Sequence, residues 1–203
     1  TTMTIKDKAV PNVVGVDIGC GMYTVNLGNI KIDFEKVDEA AHFIPSGRNV
    51  WEGRQEKFDL TKLRCYRELK NTKWLERSLG TLGGGNHFIE IDEAADGTKY
   101  LIIHSGSRNL GKQVAEFYQQ LAVNLDRGYG EYLEKRDEII RTYKEQGRRK
   151  EIQQALEKLH WQVYESETNM PEDLCFLSGK YLDDYLYDVE ICQAFAKRSR
   201  EKM

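Results

Sequence analysis

Asp17 and Cys20 lie within Val13-Val14-Gly15-Val16-Asp17-Ile18-Gly19-Cys20-Gly21-Met22, and together they offer a hard carboxylate and a soft thiol. Glycines on either side permit positive φ and remove side chains that would crowd a ligand. A carboxylate and a thiolate converging there can bind one metal ion or a close pair. The plainer reading is a glycine-rich strand end with an inert, buried cysteine.

Two histidines repeat the pattern. His87 follows the run Gly83-Gly84-Gly85-Asn86, and His104 ends Tyr100-Leu101-Ile102-Ile103-His104 just before Ser105-Gly106-Ser107-Arg108. In an extended segment Asn86, Phe88 and Glu90 point to one face, and His87, Ile89 and Ile91 to the other. Asn86 and Glu90 are thus disposed to share one ligand, while His87 can face another. The glycine run could approach a phosphate, but no Lys-Ser/Thr pair follows to make it a P-loop. A half-buried, satisfied histidine is the plain alternative for His87. Asp17, Cys20, His87 and His104 all sit beside glycine at strand ends, in three separate segments. That repetition favours a shared metal site.

The elements that must position these donors are short strands. The apolar run Val13–Val16 predicts a buried strand, with further strand character at Thr2–Ile5, Tyr23–Leu27 and Tyr100–His104. Phe34–Phe43 carries a weak helical stripe and runs into Ile44-Pro45-Ser46-Gly47-Arg48, a turn that could also contact phosphate. From Arg48 to Arg77 basic residues alternate with Trp51, Tyr66 and Trp74, a composition suited to nucleic acid but equally to a solvated face. Beyond Gly111 the pattern turns helical. Lys112–Leu125 is amphipathic through Val114, Phe117, Tyr118, Leu121 and Leu125. Gly128–Glu145 and Arg148–Glu165 are charge-rich and read as a helical hairpin about Gly147. His160 reads there as structural or exposed. A last helix carries Leu182, Tyr185, Leu186, Val189, Cys192 and Phe195 on one stripe, with Cys175 and Cys192 as packing residues. The predicted class is α+β: a mixed sheet core with glycine-rich loops at strand ends and a long helical hairpin insertion. Residues 1–111 form the strand-rich portion and 112–203 the mainly helical one.

Composition narrows the function. A net charge of −3, with 31% charged residues, excludes a strongly basic, non-specific nucleic-acid binder. Four scattered cysteines without a CxxC pair fit a reducing, cytoplasmic setting rather than a disulfide scaffold. No apolar run reaches the roughly 18–20 residues of a membrane span. The chain opens at Thr1, and a helical pattern runs on to Met203, so a portion of a longer protein is expected.

Taken together, Gly15–Met22, Gly80–Glu90 with its Gly-Gly-Gly-Asn-His-Phe centre, and His104-Ser105-Gly106-Ser107-Arg108 resemble the RtcB family of RNA ligases. The Pro45-Ser46-Gly47 loop and the Tyr181-Leu182-Asp183-Asp184-Tyr185 helix fit as well, and the resemblance spans nearly the whole chain. It implies GTP- and Mn2+-dependent joining of an RNA 3′-phosphate or 2′,3′-cyclic phosphate to a 5′-hydroxyl. A histidine carries GMP to the 3′-phosphate, and the 5′-hydroxyl then displaces it. By the resemblance Cys20 bridges two Mn2+ ions, with Asp17 and His87 on one and His104 on the other. By the same resemblance Asn86 and Glu90 would contact the guanylate; Arg48 and Arg108 are separate candidates for RNA or phosphate contacts. Such mixed donors suit transition metals better than Mg2+. RNA ends and GTP are the implied partners, with an activating protein as a candidate and no membrane.

The resemblance also implies two histidines, a further metal ligand and the GMP carrier, in motifs that this sequence does not contain. His42 and His160 stand in neither. The isolated chain is therefore expected not to ligate. Two alternatives are a metal-dependent RNA phosphoesterase using water as attacker, and a non-catalytic metal-binding module.

Overall fold

The computed structural model describes residues 4–159 and 170–203. In chain order the regular elements are β1 (Lys8–Ala9), α1 (Pro11–Val14), β2 (Gly21–Gly28), α2 (Phe34–His42), α3 (Thr72–Arg77), β3 (Phe88–Glu93) and β4 (Lys99–Ser105). Then come α4 (Arg108–Asn124), α5 (Gly130–Glu145), α6 (Ile152–Glu157), β5 (Leu177–Ser178) and α7 (Gly179–Lys202). The chain is α+β.

The main sheet has the order β2-β4-β3 and is antiparallel throughout; β1 and β5 form a separate antiparallel pair. The expected mixed sheet is therefore not formed among the described residues. A short turn joins β3 to β4, with Ala94 N–H donating to Thr98 O at 2.9 Å and Gly97 at φ +82°, and such turns link antiparallel neighbours. Across the sheet Met22, His104 and Phe88 form one row, because His104 pairs with both of the others.

The sheet is not the core either. Of its strand residues Ile103 is the buried hydrophobic, at 4% exposure, whereas the principal apolar cluster lies between α4, α7 and the 60–79 segment. Leu110, Val114 and Tyr118 repeat at four-residue spacing on α4, and Leu182, Tyr185, Cys192 and Phe195 supply the facing stripe of α7. Leu186, expected in that stripe, is exposed, and Asp188 is buried instead. Its carboxylate accepts from Arg64 N–H (2.8 Å), Cys65 N–H (3.1 Å) and the Tyr118 hydroxyl (2.8 Å), which satisfies the buried charge.

The buried strand expected at Val13–Val16 is also corrected. Pro11 starts a helical turn instead, and Gly15 at φ +87° closes it through a bond to Pro11 O of 3.0 Å. Val13, Val14 and Val16 are exposed; Ile18, at 3%, is the residue that anchors this segment. The strand expected at Thr2–Ile5 is not formed at Thr4 and Ile5, and pairing begins at Lys8; residues 1–3 lie outside the described residues. In the helical portion α5 and α6 flank Gly147, as the hairpin reading required. His160 and the rest of the predicted second helix to Glu165 lie outside the described residues.

Candidate metal centre

Four donors meet at the end of the three-stranded sheet. Asp17 and Cys20 lie on the turn before β2, closed by a Cys20 N–H bond to Asp17 O of 3.2 Å. Buried Ile18 pins that turn from below, its carbonyl accepting from the Ser107 hydroxyl. His87 stands at the start of β3, and His104 lies in the central strand β4. Cys20 Sγ is 3.0 Å from His104 Nε2 and 3.9 Å from His87 Nε2, and His87 Nε2 is 3.5 Å from Asp17 Oδ2. The donor atoms of Asp17, Cys20 and His87 all lie within 4.8 Å of one another. Cys20 thus stands between the two imidazoles, whose centroids are 5.6 Å apart.

The local environment sets the ring orientations. His87 Nδ1 donates to Leu82 O at 2.9 Å, and a carbonyl can only accept, so in the neutral ring Nε2 keeps its lone pair toward Asp17 and Cys20. A backbone carbonyl behind the distal nitrogen is the usual support of a metal-binding imidazole. Ser105 Oγ donates to the same carbonyl at 2.9 Å. His104 Nδ1 is buried without a hydrogen-bond partner among the described residues, so its polar function is left to Nε2 beside the sulfur. Burial raises the Cys20 thiol to about 11, Asp17 adds to the rise, and the Arg200 cation opposes it. A bound dication would displace that proton, because the thiolate is the ligand form. Oxygen, sulfur and imidazole donors at this spacing fit a divalent transition metal.

Gly106 makes room for the carboxylate: a Cβ there would lie 2.2 Å from Asp17 Oδ1. Gly83 makes room for Arg108, since a Cβ there would lie 1.7 Å from its Nη1. The expected glycine-rich approach to a ligand is thus filled at Gly83 by the protein's own side chain. Arg108 itself takes φ +59°, rare for a residue with a side chain, and donates to Thr81 Oγ1 (3.1 Å) and Gly47 O (2.8 Å). Burial lowers its pKa below the usual guanidinium value, against the pull of Asp17. Arg108 and the exposed Arg48 line a cavity of about 610 Å3 that opens beside Asp17, together with Trp74, Asn109 and Lys112.

Asn86 and Glu90 are exposed beside His87, and Glu90 shares the sheet face of Phe88 and His104. The basic and aromatic run 48–77 does not make one continuous face. Arg54 pairs with Glu76 (3.5 Å), Arg64 with Asp184 (3.6 Å), and Trp51 donates to Gly80 O at 3.1 Å. Sequence reasoning missed Ser107, Ser199 and Arg200. Ser199 Oγ accepts from Gly80 N–H at 2.9 Å, and Arg200 Nη1 donates to Gly19 O (2.9 Å) and Ser105 O (2.6 Å). The available signal was the spacing Cys192, Ala196, Arg200, which carries the apolar stripe of α7 to a cation.

The family profile described as "tRNA-splicing ligase RtcB" matches residues 54–203. The chain belongs to the RtcB family. Those residues hold His87, His104, Arg108 and Arg200. A protein named RNA-splicing ligase RtcB in Escherichia coli is 29% identical over 98% of this chain, a span that takes in Asp17 and Cys20, and 46% of that relative is covered. The tRNA-splicing ligase RtcB of Aeropyrum pernix is 41% identical over 66 residues, which is 26% of this chain and 14% of the relative. That of Thermococcus kodakarensis is 38% identical over the same length and shares. The chain spans about half the length of the Escherichia coli relative. Among the described residues no helix is long and apolar enough to cross a membrane.

Proposed function

We propose that this chain is the metal-binding and guanylate-contacting part of a GTP- and Mn2+-dependent RNA ligase. The whole enzyme would join RNA 3′-phosphate or 2′,3′-cyclic phosphate ends to 5′-hydroxyl ends through a histidine-bound GMP. The observation that carries the reading is the convergence of Asp17, Cys20, His87 and His104 around one sulfur. Asp17 and His87 would hold one ion, His104 a second, with Cys20 between them. Ions held there would supply charge neutralisation and orientation for phosphoryl transfer.

The chain's own residues do the rest of the positioning. Leu82 O holds the His87 ring so that Nε2 faces inward, and Gly106 leaves the Asp17 carboxylate its place. Asn86 and Glu90 would contact the guanylate from the exposed end of β3. Arg48, Arg108 and Lys112 give the adjoining cavity a positive wall for RNA phosphate, next to Trp74 as a stacking surface. The histidine that receives GMP stands in none of this chain's motifs, so guanylylation belongs to the whole enzyme.

Mass spectrometry of the purified chain with GTP and Mn2+ tests this reading, alongside metal analysis. Bound Mn2+ without a GMP adduct is the expected result. A GMP adduct on these 203 residues would overturn the assignment of the carrier histidine. Hydrolysis of a cyclic-phosphate RNA end without GTP would favour the phosphoesterase reading instead.

A further inference from the structure

Arg200 comes from the last turn of α7, a helix fixed by fully buried Cys192, Phe195 and Ala196. One amino group of its guanidinium, Nη1, bonds two backbone carbonyls: Gly19 O at 2.9 Å and Ser105 O at 2.6 Å. Gly19 directly precedes Cys20, and Ser105 directly follows His104. In the sheet Gly21 pairs with Ser105 and Met22 with His104, so the ladder between β2 and β4 stops where Arg200 begins. The guanidinium also lies over Gly21, where a Cβ would be 3.6 Å from Nη2. Around Gly19 the helix and turn are in close contact, since a Cβ there would meet Ala196 Cβ at 3.0 Å.

We propose that Arg200 is a positioning residue that sets the separation between Cys20 Sγ and His104 Nε2. It does so by clamping the two carbonyls on either side of them, in place of the next rung of the ladder. The inference rests on the reading of Asp17, Cys20, His87 and His104 as metal ligands. The place of Arg200 there is explained by the two carbonyls it holds. A clamp mounted on a core-locked helix keeps the donors within the narrow tolerance a metal needs. Removing such support behind ligands lowers metal affinity by about 10–100-fold.

The test uses Co2+ as a visible probe on the purified protein, reading the thiolate-to-cobalt band, the affinity and the melting temperature of the metal-free protein. Arg200→Met is expected to bind Co2+ about 10–100-fold more weakly and to shift the thiolate band at saturation. Arg200→Lys keeps the charge and a donor but lacks the planar fork, and is expected to recover part of the affinity. Wild-type affinity and an unmoved band in Arg200→Met would overturn the proposal, even with a lowered melting temperature. If Arg200→Met does not fold, Arg200→Lys decides: a weaker, shifted band supports the clamp and wild-type behaviour overturns it. If the unmodified protein gives no thiolate band, or Cys20→Ala retains it, the ligand reading itself fails.

Discussion

Gly106 and Asp17 compete for the same space: a Cβ on the glycine would stand 2.2 Å from the Asp17 Oδ1 atom. The obstructing atom is the far end of a short side chain rather than backbone, so a substitution at 106 would displace the carboxylate and spare the fold. The glycine therefore sets where the carboxylate of Asp17, a proposed metal donor, can be.

Gly106→Ala is expected to leave the melting temperature within a few degrees of the parent while weakening Mn2+ binding about tenfold or more. Isothermal titration and thermal melts of the two proteins check it. A large loss of stability with full metal affinity would contradict the proposed relationship.

Cys20→Ala should empty the centre of both ions, because the sulfur stands between the two imidazoles. Asp17→Ala should weaken chiefly the ion shared with His87. Metal content by plasma mass spectrometry distinguishes these results, and unchanged content in Cys20→Ala would remove the assignment.

The four residues of the candidate centre could be singled out in the sequence because each lies within two residues of a glycine. The neighbourhood of those donors was less legible. Val13–Val16 reads as a strand by its β-branched residues, but Pro11 and Gly15 bracket Val13 and Val14 in a single helical turn. Arg200 meets Gly19 across 181 residues of sequence, a contact that depends on how α7 crosses the sheet. Asp188 is not singled out by the pattern of the last helix, and the donors that make its burial tolerable come from Arg64, Cys65 and Tyr118. Local pattern carries spacing well and carries long-range partners poorly.

Asp188→Asn tests that buried carboxylate. The amide retains one acceptor oxygen and turns its NH2 group on donors that need acceptors, so a destabilisation of about 2–4 kcal/mol is expected. Urea unfolding measures it. Metal affinity of the folded variant should stay at the parental value, since Asp188 bonds none of the metal donors.

Alkaline pH should loosen the core through Cys192, whose thiol burial raises from 9.0 to about 12, with Asp188 adding to the rise. The folded state holds this proton more tightly than the unfolded chain. Its contribution is therefore fully present below pH 9.0 and is lost as pH rises towards 12. Each pH unit in that window removes about 1.4 kcal/mol. Unfolding free energies at pH 8 and pH 10.5 should fall less steeply, by about one proton, in Cys192→Ala.

Substitutions at Arg48 and Arg108 would separate the proposed RNA recognition from architecture. Arg48→Ala, at an exposed position, should lower RNA affinity and reduce the salt slope by about one without changing stability. Arg108→Ala should do the same and also lower the melting temperature, since its side chain ties Thr81 to Gly47. Fluorescence anisotropy with a 3′-phosphorylated RNA at several salt concentrations, beside thermal melts, distinguishes the two.

The row Met22–His104–Phe88 has a further consequence for how the chain reaches its native pairing. A slip of β4 by one residue against its neighbours would turn His104 to the opposite side of the sheet, away from Cys20. A misaligned chain would then lack a complete donor set, and added metal would favour the correctly paired ensemble by mass action. Metal uptake would in this way act as a proofreader of strand alignment.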